Sequence, residues 1–238
     1  MKWIYGRQDW KTLERGLENC YLLTNGLGGF SSLTMTGAVA RNDHSVFMAC
    51  TKAPNHRINM IHRMKEELDI GESKYILSTQ EFADGTKEEG YRYLTEFSFE
   101  TLPSWRYLIN GVEIEKEIVM ARGSNQIAVN YHLKNRGQKE ATLCVTPFFQ
   151  FEPKGEDLKA GKIFSRQEQK ITDGKYALFF ETNGEAEGFT EKKETYFYRY
   201  DECDGRRENG TASAVYQIKK RVKSGEETDL TVIYSMES

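Results

Sequence analysis

From Leu94 onward apolar and polar residues alternate with a period of two, the pattern of strands with one face in a core and the other in water. Val112, Ile114, Ile118 and Met120 alternate with charged residues, and Ile127, Val129, Tyr131 and Leu133 continue the rhythm. Asn110-Gly111 separates the run ending Tyr107-Leu108-Ile109 from the run beginning Val112-Glu113-Ile114, which predicts a two-residue hairpin. Lys134-Asn135-Arg136-Gly137-Gln138 reads as the next turn, ahead of a strand through Leu143 and Val145. Tyr176 to Thr182, Glu194 to Tyr200, Thr211 to Val222 and Asp229 to Ser235 are further strand candidates, separated by Gly, Asp and Glu clusters. Helix is scarce, the best candidate lying around Arg7 to Leu17.

So many strands without alternating long helices exclude a parallel α/β fold and predict an all-β protein, a large antiparallel sandwich. The 238 residues can bury a real core as one large domain or two small ones. Without an internal repeat, the expectation is a single domain over residues 1–238, with the charged segment Lys154 to Lys162 as its mobile connection.

Charge and cysteine usage narrow the partners. A net charge of -3 argues against a binder that tracks nucleic-acid phosphates. Cys20, Cys50, Cys144 and Cys203 contain no C-x-x-C pair, so reduced, mostly buried thiols are expected rather than zinc or a disulfide framework. His56 and His62 are too far apart for a helical metal pair, and neither metal nor cofactor is expected. The segment from Met1 to Arg7 lacks the apolar core of a signal peptide, and no segment reaches bilayer-spanning length. The expectation is a cytoplasmic protein with no membrane partner, in which the Asn209-Gly210-Thr211 sequon is incidental.

Asn25-Gly26-Leu27-Gly28-Gly29-Phe30 invites comparison with a dinucleotide loop, but Ser31 stands where a third spaced glycine belongs. Ser31 to Thr36 also reads as strand instead of the helix such a loop requires. On its own the run is a tight turn that uses positive φ at one or more glycines.

Taken in order, the run from Tyr21 through Thr24-Asn25-Gly26-Leu27-Gly28-Gly29-Phe30, then Arg41-Asn42-Asp43-His44, Ala53-Pro54 with Arg57, and Glu66-Glu67 resemble one family. The likeness continues through Tyr93 to Phe97, Pro103-Ser104-Trp105, Ile114-Glu115-Lys116, Gly123-Ser124-Asn125, Tyr131 and Pro147. It is to the N-terminal domain of bacterial and archaeal type glycogen-debranching enzymes, the amylo-α-1,6-glucosidases. Two stretches depart from that pattern. Asp43-His44-Ser45-Val46-Phe47 stands where the family usually has Tyr-His-Gly-Leu-Leu, and Phe151-Glu152-Pro153-Lys154 stands where it carries an Arg-Asp-His-like stretch.

The resemblance implies a super-sandwich similar to the N-terminal domain of bacterial glucoamylases and to galactose mutarotase-like domains, followed by an (α/α)6 toroid that carries the acid and base carboxylates. It implies that this chain is non-catalytic, with its own toroid and an α-glucan such as glycogen or limit dextrin as partners. As substrate-binding or interdomain residues it marks Asn25, Gly26, Leu27, Gly28, Gly29, Arg41, His44, Glu66, Glu67 and Trp105. Each also has a plainer reading. His44 is a buried histidine satisfied by backbone, Glu66 and Glu67 belong to a solvated turn, and Trp105 is core packing. Glu113, Glu115 and Glu117 are the solvated face of a strand, not a catalytic row. Tyr196, Tyr198 and Tyr200 are sheet packing or an interdomain surface, and Asp201 to Arg207 a solvated loop. Two other functions stay open: a free-standing carbohydrate-binding module, and a mutarotase-like isomerase using His44 or His132 with a glutamate.

Overall fold

A computed structural model describes residues 2–236; Met1, Glu237 and Ser238, the outermost residues of the expected 1–238 domain, lie outside the described residues. The chain opens with β1 (Trp3–Gly6), a 3-10 turn at Arg7–Asp9, α1 (Leu13–Leu17), β2 (Leu23–Thr24), β3 (Phe30–Ser32), β4 (Ser45–Lys52) and the long β5 (His56–Ile70). Short strands β6 (Ser73–Ile76), β7 (Thr79–Glu81) and β8 (Lys87–Glu89) precede β9 (Leu94–Phe99), β10 (Pro103–Ile109), β11 (Val112–Met120) and β12 (Gln126–Asn135). Then come β13 (Ala141–Pro153), β14 (Ser165–Gln167), β15 (Lys170–Thr172), β16 (Ala177–Thr182), β17 (Glu185–Phe197), α2 (Arg199–Cys203), β18 (Asn209–Val222) and β19 (Glu227–Ser235).

Two antiparallel sheets stack face to face. One has nine strands in the order β1-β9-β10-β11-β12-β19-β16-β15-β14; the other has eight, β17-β18-β13-β5-β4-β3-β2 with β6 beside β5. β10 and β11 meet through the Asn110-Gly111 hairpin, whose φ values of 48° and 82° put both residues in the left-handed region the sequence predicted. The turn after β12 has a different job. It carries the chain from one sheet to the other, as does the turn between β18 and β19, and the buried Asn135 ties the two arches. Its Nδ2 donates to the Lys139 and Val222 carbonyls, and its own carbonyl accepts from Gly225 N–H.

The inner faces follow the alternation: Val112, Ile114, Ile118 and Met120 of β11 are buried, while Glu113 is exposed and Glu115 and Glu117 are half-buried. β5 departs from it. Ile58 to Met64 are buried without interruption, because the outer side of the eight-stranded sheet is itself covered there, in part by Tyr196 and Tyr198. The expected helix from Arg7 to Leu17 shrinks to Leu13–Leu17. Its first turn is 3-10, and Thr12 restarts the helix by accepting from Arg15 N–H with its side chain. The expected loop from Asp201 to Arg207 begins inside α2, and Asp201 is buried because the Asn42 amide donates to its carboxylate. Lys154 to Lys162 is anchored at its end: Lys162 donates to the Gln150 and Phe151 carbonyls and pairs with Glu152 and Asp173. All four cysteines are free, Cys50 and Cys144 buried but Cys20 and Cys203 exposed.

The core is not purely apolar. Glu66 of β5 and Lys116 of β11 meet between the sheets at 2.5 Å, both nearly inaccessible to water. The Glu66 carboxylate also accepts from the Tyr131 hydroxyl at 2.9 Å and the Ser78 hydroxyl at 2.8 Å, so both of its oxygens are hydrogen-bonded. Burial, and then the Glu66 charge, push the Tyr131 phenol well above its usual range. Two histidines are buried as well. Asn59 donates to His62 Nδ1, which leaves the proton on Nε2 facing the Tyr198 hydroxyl at 2.8 Å. His44 Nδ1 accepts from the Ala40 N–H at 3.1 Å.

Removing one partner of the inter-sheet pair leaves a buried charge alone, so Lys116→Met is expected to lower stability by about 3 kcal/mol or more. Glu66→Leu combined with Lys116→Met should lose much less; urea unfolding of both variants compares them, and equal losses would disprove the coupling. Burial, and for His44 the nearby Arg41 charge, lower its pKa to about 4, while burial and then His44 and Arg63 lower that of His62 to about 3. Both fall below the unfolded value of about 6.5, so the stability they contribute is present above that pH and lost as pH falls toward the folded values. Thermal melts from pH 7 to pH 4 should therefore drop, and His44→Gln should flatten the acid side of that profile.

Candidate functional site

Of the ten residues singled out in the sequence, nine fall in two regions, a rim of loops at the eight-stranded sheet and the interior, while Glu67 lies on the outer side of β5. Asn25 organises the first. Fully buried, its Oδ1 accepts from the N–H groups of Leu27 at 2.9 Å and Gly29 at 3.0 Å, an Asx-type turn closed by its own side chain. Gly28 has φ 101°, and a Cβ there would lie 2.3 Å from the Pro54 carbonyl oxygen, so this position requires glycine. At Gly29 a Cβ would lie 2.9 Å from the Met48 carbonyl oxygen.

Other parts of the likeness converge on this turn from far along the chain. Asn25 Nδ2 donates to the Ser124 carbonyl at 2.9 Å, and its own carbonyl accepts from Gly123 N–H at 2.8 Å. Asn125 in turn exchanges two hydrogen bonds with the Cys50 backbone, and Arg57 Nε donates to the Gly28 carbonyl. The backbone N–H of Met236 donates to the Asn125 carbonyl at 3.2 Å. Arg122, exposed beside Gly26, makes no ion pair or side-chain hydrogen bond among the described residues.

Arg41 and the residues after it join the same rim at one remove. Arg41 Nη1 lies 2.7 Å from Asp204 and 3.6 Å from Asp201, with its guanidinium over the Tyr200 ring. This pairing holds the Asp204 carboxyl below its usual range. Asn42 Nδ2 donates to the Gly155 carbonyl, and Lys154 Nζ lies 2.8 Å from Asp43. Lys154 N–H donates to the Arg57 carbonyl, which completes a path from Arg41-Asp43 to Gly28. The two stretches that depart from the family's pattern, 43–47 and 151–154, are thus neighbours through Asp43 and Lys154. His44 itself is turned inward, 5% exposed, and cannot present its ring on that surface.

Glu66 and Trp105 belong to the interior. The Trp105 Nε1–H donates to the Met35 carbonyl, and its ring lies 5.1 Å from the Lys116 ammonium. Neither is near water, so the solvated turn expected for Glu66 is corrected to an inter-sheet ion pair. Glu67 points the other way, half-buried, 3.8 Å from Lys74. Lys116 was readable in advance, since it occupies an inward position among Val112, Ile114, Ile118 and Met120. Among the described residues no cluster of His, Cys, Asp and Glu could hold a metal ion, and no helix is long and apolar enough to cross a membrane.

The arrangement has recognisable relatives. Residues 19–228 match the family model of the glycogen debranching enzyme N-terminal domain. A putative kojibiose phosphorylase from the human microbiome shares the fold at a TM-score of 0.53 and 8% identity, over 98% of this chain and 32% of that one. A bacterial glucoamylase complexed with acarbose is similar at TM-score 0.43 and 10% identity, over 91% of this chain and 31% of its own. A 60-residue stretch is 35% identical to the membrane protein insertase YidC of Thiobacillus denitrificans (strain ATCC 25259 / T1), covering 25% of this chain and 11% of that protein. The chain spans about a third of the length of these two solved proteins. With a match over most of its length and an all-β fold of two large sheets, the chain belongs to the glycogen debranching enzyme N-terminal family.

Proposed function

We propose that this chain is the non-catalytic N-terminal sandwich of a longer glycogen-debranching enzyme, an amylo-α-1,6-glucosidase, and that its loop rim docks on the catalytic toroid and helps shape the glucan cleft. What supports this reading is the family match over residues 19–228 together with the rim itself, where Asn25 donates to the Ser124 carbonyl and the Met236 N–H donates to the Asn125 carbonyl one residue on. A rim fixed by backbone bonds, the buried Asn25 and the half-buried Asn125 offers a rigid surface, which a cleft built from two domains requires.

Residues that hold the rim together would report folding as much as docking, so the test uses the exposed Arg122 and the half-buried Leu27, a side chain outside the hydrophobic core. Arg122→Glu with Leu27→Ser should leave the urea midpoint of the 238-residue chain unchanged. In the full-length enzyme the same pair should cut glucose release from phosphorylase limit dextrin by about tenfold or more, the weight of one or two lost polar contacts. Unchanged full-length activity would remove the docking role. The 238-residue chain alone is expected to release no glucose from limit dextrin, and turnover near ~1 per second would show that it carries the catalytic carboxylates.

A further inference from the structure

The outward face of the nine-stranded sheet is divided into two regions of different chemistry. Toward one end the cross-strand rows are saturated: His132 Nδ1 lies 2.7 Å from Asp229, Lys134 pairs with Glu227, Arg136 with Glu113 and Arg106 with Glu115. Toward the other end, next to Ser124 and the rim, the rows are not closed by ion pairs between facing carboxylates and cations. There Gln126 of β12, Ser235 of β19 and Phe179 of β16 stand opposite one another in register, and Lys170 of β15 extends the row. In the adjoining row Ala128, Ile233 and Glu181 stand opposite one another.

A groove of about 480 Å³ runs over these rows, with Phe179 and Ile233 among its lining. The side chains of Ser124, Gln126, Gln169 and Glu181 line it and make no hydrogen bond or ion pair among the described residues. A half-buried aromatic surrounded by uncommitted amide, hydroxyl and carboxylate groups suits a neutral, polyhydroxylated ligand: the ring accepts the apolar face of a sugar and the amides both donate and accept. An anionic ligand is disfavoured, since Glu181 lines the groove, no Lys or Arg does, and Lys170 lies over the Phe179 ring at 5.8 Å. The four strands β12, β19, β16 and β15 span about 14 Å across the row, enough for a short oligosaccharide.

We propose that this groove is an α-glucan binding site on the domain's outer face, separate from the docking rim and holding the branched substrate while the enzyme works. The choice of an α-linked glucan rests on the debranching reading above; the groove's preference for a neutral sugar rests on its own lining. The 238-residue chain, ¹⁵N-labelled, is titrated with maltoheptaose, and with cellohexaose as a β-linked control. Expected are saturable shifts of the Gln126, Phe179 and Glu181 amides with maltoheptaose, at a Kd of roughly 1 mM, and at least about tenfold weaker binding of cellohexaose.

Phe179→Ala, and separately Gln126→Ala with Glu181→Ala, should weaken maltoheptaose at least about tenfold, whereas His132→Ala should not. The double variant changes only exposed residues and keeps the test valid if Phe179→Ala unfolds the chain. Absence of shifts, shifts confined to the Asn25 to Gly29 loop, or full affinity in the double variant would overturn the groove while leaving the docking test untouched. Equal binding of both sugars would overturn the α-glucan assignment and count against the debranching reading from which it came.

Discussion

An ammonium and a carboxylate from opposite sheets meet where no water can reach either, and the geometry of the sandwich follows from keeping them together. Burying two charges costs several kcal/mol each unless every lone pair and proton finds a partner. Glu66 finds Lys116, Tyr131 and Ser78, and Lys116 has the Trp105 face beside it. A sheet slipped by one residue would turn Glu66 or Lys116 outward and leave the other alone, so the pair penalises wrong registers that apolar packing alone would tolerate.

The strands after Leu94 were legible because each has one wet face and one dry one, and period two records that directly. β5 was not legible by the same rule, although it is the longest strand. Its run from Ile58 to Met64 is dry on both sides, and the side chains that fill it include Asn59, His62 and Arg63, whose burial is made possible by partners distant in sequence. Arg63 pairs with Glu88 and Glu194, and nothing within five residues of it announces either. The same logic hid α2, whose Asp201 looked solvated until Asn42 was placed against it. Asn25 to Gly29 was legible as a turn, because its glycines encode φ, but its neighbours Ser124 and Asn125 are joined to it only by tertiary structure.

The rim thus serves first as a splice. Its asparagines and glycines are spent on joining three turns, and the groups left to meet another surface are few: the Leu27 side chain, Arg122 and the exposed residues of the β4–β5 hairpin. The outward face of the nine-stranded sheet has the opposite economy, with most charges paired at one end and several polar side chains unoccupied at the other. Sequence motifs located the first region because fixed backbone geometry demands particular residues. The second is built of ordinary Gln, Glu, Phe and Ser on alternating positions, a pattern indistinguishable in one sequence from any solvated strand.

β19 lies between β12 and β16, pairing Gln126 with Ser235 across more than a hundred residues of chain. During synthesis the nine-stranded sheet therefore has a gap at its middle until β19 leaves the ribosome. Up to that moment β12 and β16 each present an open edge, the condition in which chains pair wrongly with one another. The nine residues of β19 act as a keystone: a domain cut just before Glu227 would be left with two half-sheets that cannot close.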